Sequence, residues 1–483
     1  MTSSFSQQVR LGVIWSLIQN WGLRLGGLIV FMILARILSP GEMGLFAAAT
    51  TVIAFCALFV DSGLSEAVVQ TREITPKQLS SVFALNLATA VVLVLGLWAG
   101  ADRIAEYFKL PELVWILRVS CLSILFSAFT FSQMAMCRRA FAYKRLASVT
   151  LGATFFAGVV AIGMALHGMG VWSLVAQTLL TSVYTATMLW WRPEWKLKWG
   201  FEWREVKGLA NYGVHRLLTS LMDFANTRFI ELFFAATYGA VTLGLYVVGA
   251  RIYQSLMQVL CSAILDIAHN AFSRLAEDVP RMREAYYMSV GLAAASSMPV
   301  FFLLASVSHE LTLTVFGAKW AQAQSIVLPL LILGGIQVLQ FFNGVIANAL
   351  GRPGLGAMLG VGKTVATMGT LYLSRSLRFD QMIWAYFGSQ LVMTPASFWM
   401  ARKIANVSFR RVVRQIAPFF LAVIVGQILV MLVRPWLVGM PVALRLGCLL
   451  SVAGLAYLSV VLVIARPLVF ELLAAFRDRR QRA

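Results

Sequence analysis

Charge is scarce in this 483-residue sequence. Asp, Glu, Lys and Arg together make up only 12%, while hydrophobic residues make up 60% and the mean hydropathy is +0.80. A soluble chain of this length needs far more charge to cover its surface, so a soluble enzyme is excluded and lipid must be much of the solvent. Cysteine is equally uninformative as chemistry. Cys56, Cys121, Cys137, Cys261 and Cys448 are scattered mostly within apolar runs, with no CxxC, which excludes a disulfide scaffold and a cysteine metal site. There are only four histidines, His167, His215, His269 and His309, far apart and without metal-ligand spacing. HExxH, GxSxG and the full Walker A pattern are missing, so neither a zinc hydrolase, a serine hydrolase nor an ATP-driven pump is expected.

What the sequence has is long apolar runs. A membrane-spanning helix needs about 20 mostly apolar residues. Runs of that kind lie at approximately 10–38, 42–69, 78–101, 112–136, 146–166, 170–191, 209–235, 240–272, 283–306, 324–349, 354–373, 381–401, 412–433 and 441–465. The expected fold class is therefore all-α and polytopic, with about fourteen transmembrane helices. The first run follows Arg10 and reaches Leu38, too long for a cleaved signal segment, so it is expected to remain as the first span.

The net charge of +20 would indicate nucleic acid in a soluble protein. Here the basic residues sit between the apolar runs and read as orientation signals, so no nucleic acid partner is expected. With the N-terminus inside, the loops on the cytoplasmic side, the N-terminus and the tail from Arg466 hold about 26 of the 40 Lys and Arg residues, against about six opposite. Both termini are thus expected in the cytoplasm. No loop is long enough for an extra-membrane catalytic domain.

The sequence also repeats weakly. Gly12-Val13 opens the first span and Gly213-Val214 the seventh; Gly44-Leu45-Phe46 opens the second and Gly244-Leu245-Tyr246 the eighth. The shared offset and span order predict two six-span halves. The expected division is an N-terminal lobe over 1–191, a cytoplasmic linker over 192–208, a C-terminal lobe over 209–401, spans 13 and 14 over 402–466, and a basic cytoplasmic tail over 467–483.

Polar residues inside the spans are the candidates for function, because charge in a bilayer must face a cavity or a partner. Ser16, Asn20 and Arg24 form one helix face in span 1. Span 7 carries Arg216, Ser220, Asp223, Thr227 and Glu231 on one face, with Arg228 three residues before Glu231, a spacing at which the charges neutralise one another. Span 8 has the longest stripe: Arg251, Ser255, Gln258, Ser262, Asp266, His269 and Ser273. A lipid-facing helix could not carry that stripe; it lines water or glues helices together. Arg251 suits an anion, and Asp266 with His269 suits a proton relay. Asp61 and Glu66 on span 2, Arg118 on span 4 and Lys363 on span 11 are further polar points. Gln337, Gln340, Asn343 and Asn348 on span 10 could bind sugar hydroxyls or pack helices.

The run Leu34-Ala35-Arg36-Ile37-Leu38-Ser39-Pro40-Gly41-Glu42-Met43-Gly44-Leu45 resembles the "LAR-L-P-(D/E)-(Y/F)-G" signature of polysaccharide transporters. Asp61-Ser62-Gly63-Leu64 with Ala67-Val68-Val69-Gln70, and Gln78-Leu79-Ser80-Ser81-Val82-Phe83, resemble further segments of the same family. Together they look like Wzx-type exporters of the MOP flippase superfamily, whose relatives include lipid II flippases and MATE drug exporters. The resemblance implies two lobes in a V around a central cavity, with two extra C-terminal helices beside a groove for a lipid tail. It implies a non-enzymatic flippase of the bacterial inner membrane that moves a polyprenyl-diphosphate-linked oligosaccharide outward for exopolysaccharide, capsule or O-antigen synthesis. A polysaccharide polymerase and a chain-length regulator are the protein partners it implies. Arg24 and Arg251 match, by span and face, the cavity arginines of lipid II flippases; span 2 lacks the mid-membrane arginine of that pattern. On this reading Arg24, Asn20, Arg216, Arg228, Arg251, Gln258, Gln337 and Asn343 bind the diphosphate and sugar, and Asp61, Asp223, Asp266 and His269 couple transport to H+, Na+ or the membrane potential. No cofactor and no metal are expected. The alternatives are a lipid II flippase, a drug exporter, a membrane glycosyltransferase or polymerase, and a structural membrane protein.

Overall fold

The computed structural model describes the backbone of residues 2–61, 63–71, 74–197 and 200–464, and side chains from residue 11 onward except at 13, 61, 65, 66, 70, 205, 206, 208–212, 215, 262, 263, 266 and 267. The expected basic tail over 467–483 lies outside the described residues. Among the described residues the secondary structure is entirely helical. The helices are α1 (Thr2–Ile37), α2 (Pro40–Asp61), α3 (Leu64–Gln70), α4 (Pro76–Phe108), α5 (Leu113–Ser120), α6 (Leu122–Arg139), α7 (Tyr143–Leu166), α8 (Val171–Trp191), α9 (Trp203–Arg274), α10 (Val279–Ser306), α11 (Ser308–Phe316), α12 (Gln324–Ala349), α13 (Pro353–Leu373), α14 (Phe379–Val392), α15 (Thr394–Ala405), α16 (Phe409–Val433) and α17 (Val442–Ile464). Ten helical stretches among the described residues are individually long and apolar enough to cross a membrane. Among the described residues each of the fourteen expected spans lies largely on helix. The protein is an all-α, multi-pass membrane protein.

The departures from the expected spans have local causes. The run expected over 42–69 is broken after Asp61, where Gly63 takes φ 73°, a conformation that suits glycine, before α3 begins. Spans 7 and 8 are the two arms of α9, separated at Gly239 with φ 81° and ψ −178°. Only a residue without a Cβ enters that region readily. The span expected over 381–401 is divided at Met393 into α14 and α15, with Pro395 in the first turn of α15. The connection between the spans expected over 283–306 and 324–349 holds α11 and a 3-10 turn over Ala318–Ala323.

Helix starts follow capping chemistry. At α2 the Ser39 backbone N–H and hydroxyl both donate to Glu42 Oε2 at 2.7 Å, tying down the first turn. At α4 Thr75 and Gln78 form a reciprocal capping box, with Pro76 pre-set for the first helical position. At α10 the Asp278 carboxylate accepts from the Arg281 N–H at 3.1 Å.

The chain divides into two compact units, residues 1–247 and 248–483. In the first unit α1 packs on α7, and α7 on α8. The α1–α7 seam is built on small residues: an added Cβ at Gly22 would meet Leu151 Cδ2 at 2.6 Å, and one at Gly158 would meet Val30 Cγ2 at 2.7 Å. Close backbone approach of this kind is how helices associate in lipid, where burying apolar surface gives no driving force. A separate cluster joins Phe83, Trp190 and Trp195, rings 5.7 to 6.1 Å apart, with Trp190 Nε1 donating to the Phe129 carbonyl. In the second unit α10 is the central helix, packed on α12 and α16 around Phe272, Tyr286, Phe301, Phe342 and Phe419. The hairpin α16–α17 packs against α10 and α11 through Val307, Val430, Leu449 and Ala453.

Candidate functional site

The first unit places polar groups at two positions. On α1 three faces can be separated. Gln19, Gly22, Gly26 and Val30 meet α7, with Gln19 Nε2 donating to Thr150 Oγ1 at 3.1 Å. Leu17, Trp21, Leu25 and Ile29 are large apolar side chains left uncovered by protein. Between these lies the Ser16, Asn20, Arg24 face. Asn20 is exposed and donates to the Ser16 carbonyl at 2.9 Å, and Arg24 is half-buried one turn further on. The expected stripe therefore exists as a face distinct from both the helix seam and the apolar surface.

The second position is the joint of α2 with the first arm of α9. Glu231 is 3% exposed and accepts from Thr51 Oγ1 at 2.7 Å and from Arg228 Nη1 at 2.9 Å. Thr51 was not among the expected site residues, because a lone hydroxyl in an alanine-rich helix carries no sequence signal. The Arg228–Glu231 pair is the i,i+3 neutralisation that the spacing predicts. Asp223 is exposed two turns before Glu231, and Thr227 Oγ1 donates to its carbonyl. Arg216 is half-buried with its Cβ 2.5 Å from where a Cβ on Gly63 would stand, so the break after α2 makes room for the Arg216 stem. The side chains of Asp61 and Asp266 lie outside the described residues.

At the start of α2 the chain comes closer to α9 than side chains permit. A Cβ on Gly44 would lie 1.7 Å from the Ala240 carbonyl oxygen, and a Cβ on Gly244 would lie 1.9 Å from that of Pro40. These are the two glycines that the internal repeat equates.

In the second unit Arg251 is half-buried on the second arm of α9, with Gln258 and His269 exposed further along it. Gln337 accepts from Tyr253 OH at 2.6 Å, which ties α12 to α9. Asn343 is fully buried; its oxygen accepts from Tyr286 OH at 2.7 Å and its amide donates to Ser397 Oγ at 2.8 Å. Both ends of that amide join helices α10, α12 and α15. A polar group that sequence reading missed is Glu310 on α11, 1% exposed, which receives Arg434 at 3.1 Å and Arg445 at 3.2 Å. It anchors the α16–α17 hairpin to the body of the unit. A lone carboxylate after an apolar run was its only available sign.

Among the described residues no cluster of His, Cys, Asp and Glu has a metal-binding arrangement. What the spans offer instead is fixed cations, anchored amides and hydroxyls. That set can hold an anion or a hydroxyl-rich head.

A family model described as "Polysaccharide biosynthesis protein" matches residues 33–325. The succinoglycan biosynthesis transport protein of Rhizobium meliloti is 26% identical over 99% of this chain and 97% of its own length. Among solved structures, the lipid II flippase MurJ in an inward closed conformation superposes with a TM-score of 0.75 at 12% identity, over 95% of this chain and 100% of its own. An inward-facing multidrug resistance transporter of the MATE family, MOP superfamily, gives 0.59 at 14% identity, over 82% and 98%. The likeness to both structures is one of fold.

Proposed function

The chain belongs to the polysaccharide biosynthesis protein family, and from that membership we propose that it is a flippase carrying a polyprenyl-diphosphate-linked oligosaccharide from the cytoplasmic to the periplasmic leaflet of the bacterial inner membrane. One observation carries the reading. Nearly the whole chain aligns with a succinoglycan biosynthesis transport protein, on a fold shared with a lipid II flippase. The charge bias of the loops supports cytoplasmic termini.

The physical chemistry is that of moving an anionic head through hydrocarbon while its tail stays in lipid. A diphosphate that leaves water needs fixed cations to replace its hydration. Arg24 and Arg251, both mid-helix and half-buried, are assigned that role, because guanidinium keeps its charge and presents a fork matched to phosphate oxygens. Asn20, Gln258 and Gln337 offer amides to sugar hydroxyls. Arg216 adds positive charge, while Arg228 is shared with Glu231. Without a nucleotide-binding sequence, energy comes from H+, Na+ or the membrane potential, with Asp223, His269, Asp61 and Asp266 as coupling groups. The hairpin α16–α17 is assigned to the lipid tail. A polymerase and a chain-length regulator are the expected partners downstream.

A drug exporter for cations is disfavoured by the arginines on α1 and α9. A glycosyltransferase or polymerase is disfavoured by the short connections between helices, which leave no room for a catalytic domain. The test is deletion of the gene followed by leaflet-resolved labelling of lipid-linked saccharide. Accumulation on the cytoplasmic leaflet, reversed by the plasmid-borne gene, is expected. Unchanged surface polysaccharide and unchanged leaflet distribution in the deletion strain would overturn the assignment.

A further inference from the structure

Within the second unit a cavity of about 260 Å³ opens among α12, α13, α14 and α15, and Lys363 reaches its wall. Lys363 stands midway along α13, between Pro353 and Leu373, the helix on which the span expected over 354–373 falls. An intramembrane lysine is expensive and marks function by default. No carboxylate lines the cavity, and among the described residues none is paired with Lys363. The run Gly362-Lys363-Thr364 ends like a nucleotide-binding loop, but here it is inside a helix, and Thr364 Oγ1 is spent on the Gly360 carbonyl. Its backbone cannot cradle a phosphate, and only the ammonium is on offer.

The rest of the wall is amide. Gln337 uses its oxygen on Tyr253, leaving its amide hydrogens for the cavity. Gln340 gives one hydrogen to Thr394 at 2.8 Å and Gln390 one to Thr367 at 2.9 Å. Each keeps a carbonyl and a second N–H in a fixed direction. Phe341 also lines the cavity. Glycines keep the space open: a Cβ on Gly344, Gly356 or Gly360 would meet no atom within 4 Å. Drug-sized ligands take pockets from roughly 300 Å³ upward, so this one suits a single ring.

We propose that this cavity is a subsite for one acidic sugar residue of the transported saccharide, its carboxylate on Lys363 and its hydroxyls on Gln337, Gln340 and Gln390. The assignment rests on the flippase reading and names a substrate class for it. An ammonium without a protein carboxylate takes its counter-charge from the ligand, and anchored amides pair with hydroxyls in either direction. A neutral sugar leaves the ammonium desolvated and unpaired, so the site discriminates against it.

The test uses the full-length purified protein in detergent, titrated by thermal shift with methyl β-D-glucuronide, methyl β-D-glucoside and inorganic pyrophosphate. The glucuronide is expected to bind at least tenfold more tightly than the glucoside. Lys363→Met is expected to bring that ratio near one, Lys363→Arg to keep most of it, and Gly360→Leu, which fills the cavity and leaves the lysine, to weaken both sugars. Equal binding of the two sugars by the unaltered protein, or a ratio that survives Lys363→Met, overturns the proposal. So does a Lys363-dependent response to pyrophosphate without a glucuronide preference, which assigns the cavity to the diphosphate head. Should Lys363→Met fail to fold, Gly360→Leu decides: undiminished glucuronide binding overturns the proposal. None of these titrations involves transport, so failure of the subsite and failure of the flippase reading, which the deletion strain reports, are told apart.

Discussion

Gly44 and Gly244 exclude side chains from one another's helices: each has a backbone carbonyl, of Ala240 and Pro40 respectively, standing where its Cβ would be. The contact is reciprocal, and its two glycines are the pair that the short sequence matches Gly44-Leu45-Phe46 and Gly244-Leu245-Tyr246 set side by side. Backbone carbonyls cannot swing aside as a side-chain tip can. Gly44→Ala and Gly244→Ala must each push α2 away from the second arm of α9. Each is expected to cost about 1–3 kcal/mol as overpacking, read as a lowered melting temperature of the purified protein. Gly27→Ala, where an added Cβ meets nothing within 4 Å, is the control and should be neutral or slightly stabilising in its helix.

Gly41 and Val241 lie at the same joint, with the Cβ position of Gly41 3.7 Å from Val241 Cγ2. Cysteines placed at both positions, in a background lacking the native five, should form a disulfide under mild oxidant. If the two helices part during transport, the oxidised protein loses export and reductant restores it. Export of polysaccharide at an unchanged rate by fully cross-linked protein would show that this joint stays closed throughout.

The Thr51–Glu231–Arg228 group makes a second, chemically different bond across α2 and α9. Glu231 is buried while Arg228 is 49% exposed, so the arginine can turn to water if its partner goes. Thr51→Val removes one hydrogen bond to a charged acceptor and should cost about 1.5–3 kcal/mol. The double variant with Glu231→Gln should cost less than the two singles together, since each removes the same bond. Additive losses in melting experiments would mean that Thr51 and Glu231 act separately.

Much of this arrangement was legible from sequence, and the reasons for the rest are specific. Hydropathy located the spans because a span must be apolar over its whole length. The glycine equivalence was visible as a repeat, but that the copies touch was not, since a repeat states likeness and not distance. Arg228 and Glu231 could be paired by spacing along one helix; Thr51 could not be added, because its partner is 180 residues away. Lys363 stands out as a charge in an apolar run, yet its cavity depends on four helices converging and on glycines whose sequence positions carry no sign of the space beside them. In sequence Asn343 and Gln337 are alike, amides that could bind sugar hydroxyls or pack helices. The structure buries Asn343 between Tyr286 and Ser397, a difference that composition alone cannot express.

The Glu310 cluster predicts how α16 and α17 are held. One buried carboxylate receives two arginines, Arg434 from the end of α16 and Arg445 from α17. Removing the carboxylate leaves two cations in a partly desolvated place, the situation in which breaking a buried pair costs about 3–5 kcal/mol, less here because Arg434 is 37% exposed. Glu310→Ala should therefore raise hydrogen exchange in α16 and α17 selectively, with α10 and α12 protected as before. Adding Arg434→Ala and Arg445→Ala should recover part of the loss in membrane abundance. Uniform exchange across the unit would place the cluster's role elsewhere.

Arg24 and Arg251 carry the strongest functional prediction. The proposed substrate brings a diphosphate into a region where water is displaced, and an unpaired anion there is prohibitively unstable. Arginine answers with a charge that persists at any physiological pH and a planar fork of donors. Arg24→Ala and Arg251→Ala should each abolish surface polysaccharide while membrane abundance stays normal, because a half-buried arginine can be truncated without opening a core cavity. Lysine keeps the charge and loses the fork, so Arg24→Lys and Arg251→Lys should export at a reduced rate. A structural role makes the opposite forecast: alanine lowers abundance, and removing the partner carboxylate as well, with Asp61, Asp223 and Glu231 as the candidates, restores it. Abundance by immunoblot and polysaccharide by cell-surface staining, measured on the same cells, separate the two. Full export by both alanine variants at normal abundance would remove these arginines from the anion site, and loss of protein with loss of export would make them structural.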